Sequence, residues 1–167
     1  IDTSIKSGLF KLQHGYSELV LSNGVKLMLE APVEIDFKSA DLLQLNVGTL
    51  VADVPKNAIG FTITTPSSEI VDLGTAFAVT VATSGASEVH VLEGEVKARS
   101  LREKKFTNLF KDEARAFDTN HKMSVINSQP QRFLRSLPGN SPSDPNYLHW
   151  SFNDAGNKLQ CQGKGYD

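Results

Sequence analysis

The chain has 167 residues, 40 % of them hydrophobic and 22 % charged, with a formal net charge of −2. That length suits one domain, or one domain plus a piece of another, and the charge balance gives no reason to expect nucleic acid, whose binding usually needs a basic face. No apolar run approaches the roughly 18 residues of a spanning helix, and the single cysteine, Cys161, excludes an intramolecular disulfide.

Over residues 1–126 the sequence predicts short strands in succession. They are Leu9–Leu12, Ser17–Leu21, Val25–Leu29, Val33–Phe37, Leu42–Leu45, Thr49–Val54, Phe61–Thr65, Glu69–Asp72, Phe77–Ala82, Glu88–Leu92, Glu95–Arg99, Lys105–Lys111 and Ala114–Phe117. The warrant is period-two alternation, as in Phe77/Val79/Val81 and Val89/Val91, which buries one face of a strand and wets the other. By that rule His90, between Val89 and Val91, is expected on a wet face. Asn23-Gly24 predicts a two-residue type I′ hairpin, and glycines 74, 85 and 94 fall where the chain must turn. Pro32 is expected to end one strand before the next begins. Lys97, Arg99, Arg102, Lys104 and Lys105 predict a solvated hairpin tip.

Strands recurring about every eight to twelve residues, with no sustained 3.6 period, predict an all-β fold. Its short twisted strands should be mostly antiparallel in a solenoid-like or sandwich core, with little helix. Residues 127–146 read as a linker with one or two helical turns over Gln131–Leu137, ended by Pro138-Gly139 and a polar, proline-rich run. Residues 147–167 then open with an aromatic strand that is expected to lack partner strands of its own. The chain begins at Ile1 rather than a methionine, which is consistent with a segment upstream.

Catalytic chemistry finds no foothold. His14, His90, His121 and His149 form no close ligand pair. Glu88, Glu93 and Glu95 flank a turn rather than face each other across a cleft. No phosphate-binding glycine loop and no nucleophile elbow is present. Asp72 precedes Leu73-Gly74-Thr75, and a buried carboxylate there would need the Thr75 hydroxyl or a local amide as partner.

Several short motifs, in order, carry a family resemblance. They are Gly8-Leu9 with Ser17–Leu21, Asn23-Gly24, Val47-Gly48-Thr49-Leu50, Thr65-Pro66, Gly74-Thr75-Ala76-Phe77-Ala78-Val79, and Val91-Leu92-Glu93-Gly94-Glu95-Val96. With these the span from about Gly8 to Phe117 resembles the FecR domain of bacterial anti-sigma regulators. The tail, Arg132–Pro138 followed by Leu148-His149-Trp150-Ser151-Phe152, resembles the junction in planctomycete-type proteins between a FecR domain and a laminin-G-like (concanavalin-type) jelly roll.

The resemblance implies a non-enzymatic sensor domain. In the family a cytoplasmic region holds a sigma factor, one helix spans the inner membrane, and the FecR domain receives its signal in the periplasm by protein contact. Here the membrane is implied only through a helix outside this sequence, and no cofactor or metal is implied. The partner implied is an envelope protein or a sigma-factor signalling protein. Past Phe117 no βαβ-type module of the iron regulators follows. Within the family pattern Thr65, Pro66, Gly74, Thr75, Phe77, Glu93 and Gly94 take structural roles, Glu93 as a turn residue bonding nearby amides. The competing reading is a carbohydrate-binding or adhesion module, with Tyr147 and Trp150 (and Phe152 beside them) as a glycan-stacking platform. Core packing of those aromatics is the alternative.

Overall fold

Alternation along the chain becomes pairing between strands in a computed structural model. It describes residues 8–137 with their side chains, and the backbone at 5–6, 149–153 and 158–162. The described residues form fifteen strands: β1 (Ile5–Lys6), β2 (Leu9–Leu12), β3 (Tyr16–Leu21), β4 (Lys26–Phe37), β5 (Leu42–Asp53), β6 (Thr62–Thr64), β7 (Ser68–Asp72), β8 (Ala76–Val81), β9 (Ser87–Glu93), β10 (Glu95–Ser100), β11 (Thr107–Phe110), β12 (Glu113–Phe117), β13 (Met123–Asn127), β14 (His149–Asn153) and β15 (Lys158–Gln162). The described helix is limited to two 3-10 turns, Lys56–Ala58 and Pro130–Arg132. The fold is all-β and mostly antiparallel.

Two long strands organise it. The first half of β4 pairs with β3 and its second half with β2. Its neighbour β5 pairs with β6 through Leu42–Gln44 and with β8 through Gly48–Asp53. One lobe therefore runs β2-β4-β5-β6-β7-β10-β11, the other β3-β4-β5-β8-β9-β12-β13, and β4 and β5 belong to both. The sheet curls into a half-barrel, and the inner faces of the lobes meet in a single apolar cluster. Ile35, Leu43, Ile63, Ile70 and Val96 enter it from one side; Leu27, Leu50, Phe77, Val89 and Phe117 enter it from the other. Each large apolar side chain so buried contributes about 1.5–3 kcal/mol.

Pro32 does not end a strand. Residues 26–37 form one strand, and 42–53 another, where two pairs of shorter ones were expected. Proline is tolerated because the β4–β5 register shifts there, from Glu30↔Thr49 to Glu34↔Val47, so Pro32 lies in a bulge. Gly48 faces that bulge, and a Cβ on it would stand 2.4 Å from the Pro32 carbonyl oxygen.

The Asn23-Gly24 hairpin is real, but its loop has three residues and is not type I′. Gly24 N–H donates to Leu21 O at 2.9 Å and Leu21 N–H to Val25 O at 2.8 Å, with only Gly24 at positive φ. This is the type I turn closed by a left-handed residue. The same two bonds recur at Ala82–Ala86 and at Asp118–Lys122. In the last loop the left-handed position falls to His121 (φ 64°), whose Nδ1 is buried without a partner. His121→Gly is expected to stabilise the protein by about 0.5–1 kcal/mol by relieving that backbone strain. Urea unfolding checks the prediction, and a loss of stability refutes it.

Beyond residue 117 the structure differs from expectation. Met123–Asn127 is a further strand, paired with β12. The helical turns expected over Gln131–Leu137 reduce to the 3-10 turn Pro130–Arg132, because Pro130 opens the turn and Phe133 is already extended. Nor is β14 partnerless. It runs parallel to β3 and antiparallel to β15, which also pairs with β1.

Candidate interaction surface

Two places gather residues singled out in the sequence, and a third holds a strand that the sequence did not point to. The first is the corner where the chain passes between lobes. There β7 leads to β8 through Asp72–Thr75, β9 returns to β10 through Gly94, and β11 leads to β12 through Lys111-Asp112. Backbone bonds stack these crossings: Leu73 N–H to Glu95 O at 3.1 Å, Lys111 N–H to Gly94 O at 3.1 Å, and Asp112 N–H to Val91 O at 3.0 Å. Asp72 is wholly buried and accepts from Gly74 N–H at 2.8 Å and from the Thr75 hydroxyl, the partners its sequence context suggested. Phe77 follows directly into the core.

At the opposite end, Thr65 opens a buried hydroxyl cluster. Thr65 Oγ1 lies 2.8 Å from Ser68 Oγ, and Ser87 Oγ lies 2.7 Å from Ser67 Oγ and 2.8 Å from Ser68 Oγ. Since Ser87 sits on β9 and Ser68 on β7, these bonds tie the two lobes together. Pro66 packs there, its Cβ 3.2 Å from where a Cβ on Gly85 would lie. Such satisfied hydroxyls are scaffold, with no base within the cluster to activate them.

The second place is the outer face of the β5-β8-β9 lobe, which is not wet. Residues 128–137 cross it as a strap. Phe133 and Leu137 of the strap bury themselves with Met28, Val51, Ala76, Ala78 and Leu92. His90, expected on a solvated face, is wholly buried with its ring 5.0 Å from that of Phe133. Gln129 N–H approaches its Nδ1 at 3.3 Å, and its Nε2 lies 3.2 Å from Glu88 Oε2. Burial pushes the imidazole below its ordinary pKa, more than the Glu88 contact and charge raise it.

Ion pairs hold both ends of the strap: Arg132 to Glu88 at 3.2 Å and Arg135 to Glu93 at 2.8 Å. Glu93 therefore bonds a distant guanidinium where a local amide was expected, and Arg135 holds its carboxyl below the usual range. Nothing in the local sequence signals this, because the partner lies 42 residues away.

The third place is the sheet edge. Among the described residues β13 pairs only with β12, and none pairs with its other side. Its sequence, Met-Ser-Val-Ile-Asn, carries no charge and no proline, and Val125 is 77 % exposed. Of the other described edges, β1 carries Lys6 and β2 carries Lys11 within the strand, while β11 has Lys105 and Lys111 near its ends, much as β13 has Lys122 just before it. Edge strands without a charge or proline within them are templates for pairing with another chain. A cleft of about 390 Å³ adjoins β13, lined by Glu88, Val125, Ile126, Asn127, Gln129 and Arg132.

Of the basic run, Arg102, Lys104 and Lys105 lie exposed in the turn after β10 as expected, whereas Lys97 and Arg99 lie within β10 and are half-buried. Lys97 and Arg99 stack on the Phe106 ring, 5.1 and 4.6 Å from its centre, and Arg99 Nε bonds Glu69 at 2.7 Å. Among the described residues no group of three or more His, Cys, Asp or Glu side chains could hold a metal ion. Tyr147 lies outside the described residues, as does the side chain of Trp150, of which only the backbone in β14 is placed.

The family model described as FecR protein matches residues 11–97, more than half of the chain. The chain belongs to the FecR family. Its FecR fold runs on past the matched residues, since Leu109 and Phe117 complete the core cluster. No curated protein matches it. Two crystal structures of a putative anti-sigma factor from Parabacteroides distasonis share the fold, at TM-scores of 0.61 and 0.59 and 19 % identity in each. The alignments cover 74 % and 78 % of this chain but 61 % and 62 % of those chains, so this FecR domain spans about three-fifths of their length. Among the described residues no helix is long and apolar enough to cross a membrane.

Proposed function

We propose that this FecR domain is the signal-receiving part of a sigma-factor regulator, on the periplasmic side of the inner membrane, and that it works by protein contact rather than catalysis. The family supports the regulatory role, and the fold shared with an anti-sigma factor agrees with it. The observation that carries the contact mechanism is the edge of β13, which has no partner on one side among the described residues and no charge or proline within the strand. An extended segment of an envelope protein pairs there through backbone hydrogen bonds. The cleft beside Ile126 and Arg132 takes alternate side chains of that segment, as strand addition requires.

The test is a transcriptional reporter for the cognate sigma factor in the native host. Val125→Lys puts a guarding charge on the edge and is expected to bring induction down to the uninduced level. Phe110→Lys, on the edge strand β11, is expected to leave induction intact. Normal induction in the Val125→Lys strain, with the protein present at wild-type level, rejects the edge as the contact.

A further inference from the structure

His90 fills its place under the strap in only one protonation state. Its Nδ1 faces a donor, the Gln129 N–H, so that nitrogen must be bare. The single ring proton then sits on Nε2 and is donated to Glu88 Oε2. Phe133 covers the ring from the strap, while Ala78 of β8 and Ala114 of β12 stand beside it in register, so no water reaches it.

We propose that residues 128–137 form an acid-released latch on the outer face of the FecR domain, seated on His90. A second proton on Nδ1 would point at the Gln129 N–H, turning a hydrogen bond into a donor–donor contact. It would also place a charge at a ring with no exposure, which is costly without full compensation. The way for that charge to reach water is for Gln129 and Phe133 to lift away.

The charged groups facing the ring do not prevent this. Glu88 on β9 favours the imidazolium, but it is shared with Arg132 of the strap, whose guanidinium opposes it. The facing residues of β8 and β12 are alanines. Glu93 and Arg135 pair with each other at the far end. Net, the closed strap holds His90 below the ordinary histidine value, chiefly through burial. Between that lowered value and about 6.5 the released form binds more protons than the closed one. The latch is therefore fully closed above about pH 6.5 and weakens as pH falls through that window, by up to about tenfold per unit. Release bares the apolar strip of Met28, Val51, Ala78 and Leu92 and frees the segment that directly follows β13. The latch does not depend on which partner β13 receives.

Amide hydrogen exchange of the whole chain, corrected for intrinsic rates, at about pH 7.5 and about pH 5.5 tests it. In the wild type the opening of 129–137 is expected to increase about tenfold at the lower pH, while β8 and β9 amides keep their protection. In His90→Asn, whose side-chain oxygen can still accept from Gln129 N–H, the increase should vanish. NMR titration of the wild-type imidazoles adds a readout that needs no variant: the His90 ring should titrate below the ordinary value, together with the Phe133 signals. Three results would each overturn the latch: strap opening that is indifferent to pH, opening that spreads equally to β8 and β9, or a pH response that persists in His90→Asn.

Discussion

Gly94→Ala is expected to destabilise the domain by about 3 kcal/mol or more, lowering Tm by roughly 10 °C. Gly94 lies at φ 73°, and a Cβ built there would stand 2.5 Å from Gly74 O, 2.8 Å from Thr75 Cγ2 and 3.3 Å from Thr75 Cα. Two of those three atoms are main chain, so no rotamer change makes room. Relief would need the crossings to separate, which breaks the stacked bonds from Leu73 to Glu95 and from Lys111 to Gly94. A control separates this effect from backbone strain alone. Gly15 has a similar φ of 76°, yet a Cβ there meets nothing within 4 Å. Gly15→Ala should cost only the left-handed penalty, about 1 kcal/mol. Urea unfolding of both variants gives the comparison. Equal losses would show that the close approach of the crossings contributes nothing.

The sequence exposes the inner half of this fold because one rule governs it. Phe77/Val79/Val81 and Val89/Val91 alternate as strands with a single buried face do, and the cluster between the lobes is built from them. Glycines 74 and 94 are legible as turns, although their mutual approach is not, since it depends on two crossings 20 residues apart. The outer half is illegible for a physical reason. The alternation rule assumes that the second face meets water, so it puts His90 in solvent. Only the strap, some 40 residues downstream, makes that face a second core. The strap's own signal, Phe133 and Leu137 spaced by four, suggests a helix turn as readily as an extended anchor. β13 escapes notice because Met-Ser-Val-Ile-Asn has neither alternation nor a turn motif inside it. With no charge and no proline inside it, the strand can still accept a pairing segment along its edge.

The wet and covered outer faces also assign roles to the two lobes. On the β2–β11 lobe the outer face carries the exposed ion pair of Lys11 with Glu34 at 2.8 Å and the half-buried pair of Arg99 with Glu69. An exposed pair such as Lys11–Glu34 contributes little to stability, about 0–1 kcal/mol. On the other lobe the strap, the buried imidazole and the edge of β13 lie together. A change at the edge is therefore one residue from the strap, while the other lobe contributes to the shared core and not to the strap's apolar face.

Asp72 should show what the corner costs in charge. Asp72→Ala removes the acceptor of both Gly74 N–H and the Thr75 hydroxyl. The buried Thr75 hydroxyl left unsatisfied costs about 1–3 kcal/mol and the part-buried Gly74 N–H less, so a loss of about 2–3 kcal/mol is expected at neutral pH. Asp72→Asn keeps one acceptor oxygen but sets an amide against the other donor, and should fall between. The pH dependence carries the finer test. Burial raises the Asp72 carboxyl above its ordinary value of 3.8, outweighing the hydrogen bonds that lower it. The folded state then keeps a proton that the unfolded chain has already lost. That contribution to stability is fully present below the ordinary value and disappears as pH rises through the raised one. The wild type's advantage over Asp72→Asn should therefore be larger near pH 4 than at about pH 7, since every other carboxylate is common to both proteins. A gap that narrows on acidification would mean that the Gly74 and Thr75 bonds, rather than burial, decide the state of this carboxyl.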